Sequence, residues 1–175
     1  FVFYWKIDME IALNNIRQEE GINDEILPLK TRLEERLNLT RQVEGEKRVL
    51  LTWNKVMRLC LIAGLSLPES RLMEEVTSIA LSKSSQRIMP SFFTKDNKQA
   101  LFSALLKLRY QDCAVDWTDN ALVSRIVARE IHRGLAWLMD DSHLNAFLLY
   151  AHERRAQSQT IPALDLLIGV YEEEM

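Results

Sequence analysis

Residues 118–141 read TDNALVSRIVAREIHRGLAWLMDD, and this stretch decides the fold class. Val123, Val127, Ile131, Gly134, Leu135 and Leu138 return at the three- and four-residue intervals of an α-helix, and Leu122 and Ile126 widen the stripe. Arg125, Arg129, His132 and Arg133 fall on the opposite side. Thr118, Asp119 or Asn120 supplies an oxygen to the unpaired N–H groups of the first turn. The pattern predicts a helix with one buried face and one basic face.

The same period extends outward in both directions. C-terminal to the stretch, Ser142 is expected to cap a helix bearing Leu144, Phe147, Leu148 and Ala151. Thr160 with Pro162 then opens a last helix through Leu164, Leu167, Ile168 and Tyr171. On the other side, Leu101, Leu105, Leu106 and Leu108 place a helix over 98–110. The run SLPE at 66–69 matches a capping box, and the helix after it buries Leu72, Val76, Ile79 and Ala80 up to about Ser82.

Thr40 is expected to cap a long helix running to Ala63 and ended by Gly64, with Gly45 costing it about 1 kcal/mol relative to Ala. Its second half, KRVLLTWNKVMRLCLIAGL at 47–65, is apolar around most of its circumference and reads as the central helix. Before it, Leu29, Leu33 and Leu37 mark a helix opening at Asn23 or Asp24, with Pro28 in its first turn. Arg32 and Arg36 alternate there with Glu34 and Glu35 on a solvated face. Ile7, Ile11, Leu13 and Ile16 predict a helix from at least Asp8 to Glu20, ended by Gly21. The aromatic opening FVFYW suits a helix or a short strand.

Together these readings predict an all-α fold, an antiparallel helical bundle of about seven to eight helices joined by short connections. Residues 1–175 form a single helical domain in this reading. The periodicity breaks at 84–97, SSQRIMPSFFTKDN, the place for a lobe boundary or a functional loop.

Composition supports that class and excludes others. An apolar share of 47% in 175 residues sustains a sizeable core and argues against global disorder. Gly 5 and Pro 4 are too few for a turn-rich all-β architecture. A net charge of −3 gives no overall attraction to nucleic acid or anionic membranes, so such binding would need a local patch. The front and the tail of the chain are acidic, and the middle is mildly basic. Cys60 and Cys113 have apolar neighbours, which suits reduced thiols in a cytoplasmic protein, a single disulfide being the other reading. No apolar run approaches the roughly 20 residues of a membrane-spanning helix, so no membrane span is expected within the chain. The start without Met reads as a fragment or as a chain lacking its first residues.

Catalytic constellations are not legible. There is no G-x-S-x-G elbow, G-x-G-x-x-G loop, Walker lysine or HExxH run. His132, His143 and His152 lack the spacing of helical metal ligands and read as surface or capping residues. No metal and no cofactor are expected. Cys60 sits in an apolar helix end and Cys113 in a short connection, neither a setting that activates a thiol.

Two features point instead to partners. Arg125, Arg129 and Arg133 lie along one line, which Arg154 and Arg155 extend. Pairing with Glu130, Asp140 or Glu153 is the first reading of that line, and contact with phosphates or an acidic partner the second. Phe92 and Phe93, in the irregular loop, and Tyr4 and Trp5, in the aromatic opening, are not demanded by helix packing: packing back onto the core is their first reading, and partner-binding anchors the second. The chain therefore reads as a non-enzymatic protein–protein interaction module, a subunit, adaptor or regulator of a larger complex, acting through helix faces and the 85–97 loop. A protein partner or a second copy is expected. The alternative is an accessory nucleic-acid-binding subunit that uses the basic helix face.

Overall fold

The structure is a computed structural model that describes residues 11–36, 53–68, 73–83 and 98–156. They hold six α-helices: α1 (Ile22–Arg36), α2 (Trp53–Ser66), α3 (Met73–Ser78), α4 (Lys98–Arg109), α5 (Asn120–Met139) and α6 (Asp141–Ala156). The chain is all-α, but the expected seven to eight helices are not reached among the described residues. The helix expected after Thr160 and the first half of the one expected from Thr40 lie outside them.

Helix α5 is the quoted stretch. Asp119 caps it by accepting from the N–H groups of Ala121 at 2.9 Å and Leu122 at 3.2 Å. Its stripe faces inward: Val123, Ile126, Val127, Ile131, Leu135 and Leu138 all belong to one core, and Leu122 packs partly buried against it. Helix α2 lies against it in the most extensive contact of the fold, adding Val56, Met57, Leu59, Cys60 and Leu61. Ile22, Ile26, Leu29 and Leu33 of α1 close another side, and α4 contributes Phe102 and Leu106 with Tyr110 just beyond its end.

The α2–α5 crossing is tight because a glycine from each helix sits in it. A Cβ on Gly64 would stand 1.9 Å from the Glu130 carbonyl oxygen, and one on Gly134 would stand 1.7 Å from that of Cys60. Backbone meets backbone at both points, so no side chain can swing aside. Gly64 is therefore not the helix terminator that the sequence indicates: α2 continues through it to Ser66.

Other elements depart from expectation for identifiable reasons. The segment 11–20 is not a helix but a 3₁₀ turn at Leu13–Asn15 between extended stretches. Its polar backbone groups are taken by neighbours instead of by its own next turn. Ser103 accepts from the N–H of Ile11 at 3.1 Å, Ser124 accepts from that of Arg17 at 3.0 Å, and Gln99 donates to the Ile11 carbonyl at 3.0 Å. Ile11, Leu13 and Ile16 are buried all the same. Glu19 and Leu81 then form an isolated antiparallel bridge, which stops α3 well short of the predicted Ser82. Gly21, with φ of 79°, makes the turn into α1 instead of ending a helix.

Pro28 lies inside α1, not in its first turn. Both Pro28 and Asp24 are exposed, so water can take the carbonyl that the proline leaves unpaired. Ser66 does not open a capping box, since its hydroxyl donates back to the Ile62 carbonyl at 2.8 Å, and Glu69 is outside the described residues. Asp140, not Ser142, caps α6 by accepting from the N–H groups of Ser142 at 2.9 Å and His143 at 3.3 Å. In α4 the buried line is Phe102, Leu106 and Tyr110, whereas Leu101 and Leu108 face outward.

Gly64→Ala and Gly134→Ala should each destabilise the fold by about 2 kcal/mol or more, although Ala favours an ordinary helix interior by about 1 kcal/mol. Gly21→Ala meets nothing within 4 Å and should lose only about 1 kcal/mol, the penalty of its positive φ. Urea unfolding of the three variants checks the order, and an unchanged midpoint for Gly64→Ala would rule out the close crossing.

Candidate functional site

The crossing places Glu130 in the interior, with no exposure at all. A lone carboxylate there would be prohibitively costly, so the fold surrounds it with cations and donors. Arg129 donates to its Oε1 at 3.0 Å, and Arg133, one turn on, donates to its Oε2 at 3.0 Å. From the end of α4, the Tyr110 hydroxyl donates to Oε1 at 2.7 Å, and the Nε of Arg109 stands 3.8 Å from that oxygen. Arg129 also donates to the Tyr110 hydroxyl at 2.9 Å and to Glu75 of α3 at 3.4 Å.

The remaining guanidinium donors hold the chain that leaves α2. Arg109 donates to the carbonyls of Leu67, Gly64 and Pro68, the latter two at 3.2 Å, and Arg133 also donates to that of Pro68. One buried cluster thus joins α2, α3, α4 and α5. Tyr110 extends it apolarly, with its ring edge-on to Trp117 at 6.4 Å.

The chemistry of this cluster is that of a lock. Burial, and then the charge of Glu130 beside it, push the Tyr110 phenol well above its ordinary value, which makes it a poor nucleophile and a poor base. Burial likewise pushes the Cys60 thiol up to about 12, far from the thiolate a reactive cysteine needs. Cys60 and Cys113 are both free thiols. Among the described residues no group of three or more His, Cys, Asp or Glu side chains is placed to hold a metal ion. Nor is any helix there long and apolar enough to cross a membrane.

The sequence-predicted arginine line is brought together only in part. Arg129 and Arg133 point into the cluster, and Arg125 donates to the Ile79 carbonyl at 3.1 Å. Arg154 and Arg155 lie on α6, but their side chains fall outside the described residues, as do Tyr4, Trp5, Phe92 and Phe93 entirely. His143 stacks on Trp137 with ring centres 4.6 Å apart, and His132 pairs with Glu19 and Glu25. Nothing in the sequence marks Tyr110, Arg109 and Glu75 as members of this cluster. The only available signal was the Glu130–Arg133 spacing, which reads equally well as a surface ion pair.

A different feature lies on the outer side of α4. Leu101, Leu105 and Leu108 follow one another at helical spacing away from the core, with Leu108 63% exposed and Leu101 40%. Leu105, Leu108, Leu65 of α2 and Arg109 line an open groove of about 170 Å³. Because the Arg109 guanidinium is turned onto the carbonyls of Gly64, Leu67 and Pro68, the groove presents mainly aliphatic surface. Comparison with protein families, with curated proteins and with solved structures returns no match for this chain.

Glu130→Gln should lose about 3 kcal/mol or more of unfolding free energy, because three guanidinium groups then face one another without their carboxylate. Tyr110→Phe removes one neutral hydrogen bond and should lose about 1–2 kcal/mol. Chemical denaturation of both variants tests the ranking. Equal losses would mean that the carboxylate is not the centre of the cluster.

Proposed function

We propose that this chain is a non-catalytic protein–protein interaction module, a subunit, adaptor or regulator, that seats an apolar helix of a partner protein on the outer face of α4. The single observation behind this reading is the line Leu101, Leu105 and Leu108, with its groove shared with Leu65. A helix whose opposite face already supplies Phe102, Leu106 and Tyr110 to the core has no folding need for leucines on both sides. A volume of about 170 Å³ is near the roughly 150 Å³ of a cavity that accepts benzene, so it suits one large apolar side chain.

Helix-in-groove recognition works by such anchors repeated at i, i+3 or i+4 and i+7. Each leucine fully withdrawn from water contributes up to about 2 kcal/mol, so a short ridge supports a specific contact of modest strength. The arginines do not carry the reading, because Arg125, Arg129 and Arg133 bond to groups within the fold. Phe92 and Phe93, shortly before α4 in sequence, are further anchors in this proposal.

The test pairs Leu105→Glu with Leu108→Glu in one variant and uses Leu149→Glu, at a residue 60% exposed on α6, as the control. Proteins retained by the wild type and the control should be lost with the double variant, whose circular dichroism and melting should stay unchanged. For any partner so identified, binding should weaken by at least about thirtyfold, the loss typical of a hot-spot residue. Retention of the same proteins by all three would remove α4 as the docking face. Sedimentation of the purified chain tells whether the occupant is a second copy.

A further inference from the structure

We propose that His132 is a pH-sensitive latch, whose imidazolium bridges the carboxylates of Glu19 and Glu25 and so clamps the 16–20 segment and the start of α1 onto α5. The geometry is a three-element junction. Nε2 of His132 forms a close ion pair with Glu19, and Nδ1 lies 3.2 Å from Glu25 Oε2. Glu19 comes from the extended segment and Glu25 from the first turn of α1, so one side chain of α5 holds both.

The bridge works only in one protonation state. An imidazolium donates from both ring nitrogens, one to each carboxylate, whereas a neutral imidazole has one donor and one acceptor. On deprotonation, one carboxylate oxygen is left facing a nitrogen lone pair, and two negative charges remain with no cation between them. His132 is about one-third exposed and Glu25 about half exposed, so protons reach the site from solvent.

The sign follows from linkage. The close contact with the Glu19 carboxylate raises the His132 pKa, against the opposing effect of burial, and the charge of Glu25 raises it further. Its contribution is therefore complete below the unfolded value of 6.5 and is lost as pH rises through the raised folded value. The segment retains other ties, since the N–H of Glu20 donates to the Ala80 carbonyl at 3.0 Å and that of Ser82 to the Gln18 carbonyl at 2.9 Å. Loss of the latch loosens this junction without unfolding the core beneath it. Those two amides report on it.

Hydrogen exchange of the Glu20 and Ser82 amides, corrected for intrinsic rates and followed from about pH 5 to about pH 9, tests the latch. In the wild type, protection should hold at low pH and then fall with rising pH by up to about tenfold per unit, the limit for one proton. His132→Gln should give low protection with no such fall. Glu25→Gln, a milder change at an exposed position, should start from lower protection, lose less in total and complete its fall at lower pH. Protection independent of pH in the wild type would overturn the latch. So would an unchanged fall in His132→Gln, or a Glu25→Gln curve superimposable on the wild type.

Discussion

The approach of α2 and α5 at Gly64 and Gly134 leaves room for backbone and nothing else, with the Glu130 and Cys60 carbonyls filling the space where side chains would begin. Most of the fold follows from that spacing. Helices this close shut water out of the crossing, so whatever flanks it must be apolar or fully partnered. Val127, Ile131, Met57 and Leu61 meet the first condition. Glu130 meets the second, since the residue whose carbonyl abuts Gly64 also carries the buried carboxylate. Packing and electrostatics at this point are therefore one constraint, because separating the helices would admit water to the ion cluster and removing the carboxylate would set its cations against one another.

The cluster in turn explains why the polar face of α5 is not an outward-facing binding strip. Arg129 and Arg133 lie on the side opposite the apolar stripe, as their spacing indicates, but α3, the end of α4 and the chain after α2 cover that side. Guanidinium groups suit this task because a planar fork can serve a carboxylate and a carbonyl at once. Arg133 bonds to both Glu130 and Pro68, and Arg109 gathers three carbonyls at the end of α2. The carbonyls at a helix end, which otherwise need water or a cap, are thus satisfied by the side chains that also neutralise Glu130.

What could be read from the sequence divides along the same physical line. The stripe from Val123 to Leu138 was legible because α-helical periodicity is a local property, and each of its large apolar residues is buried or partly so. Gly64 reads as a stop because a glycine at the end of an apolar run looks the same whether it ends a helix or lets another helix approach. The segment 11–20 carried a helical spacing of Ile and Leu, yet the hydroxyls of Ser103 and Ser124, from helices distant in sequence, outcompeted its internal hydrogen bonds. Neither outcome is written in a window of neighbouring residues. Buried Glu130 is the extreme case, as its partners arrive from the end of α4 and from its own helix.

Helix α4 shows how the interior cluster determines what the surface offers. Its sequence carries two apolar series, Phe102 with Leu106 and Tyr110, and Leu101 with Leu105 and Leu108, and periodicity alone treats them as equivalent. Hydrophobicity does not separate them strongly either, since three leucines bury about as favourably as the alternative set. The difference lies in the polar groups. Rotating α4 to bury its leucines would withdraw the Tyr110 hydroxyl and Arg109 from Glu130, and Ser103 from the Ile11 amide, leaving buried groups unpaired. Each such loss costs about 1–3 kcal/mol, more for the charged pair, whereas the leucines gain only what they exchange with the other series. The ion cluster therefore sets the rotation of α4, and the leucines stand on the surface because the tyrosine and the arginine are needed inside.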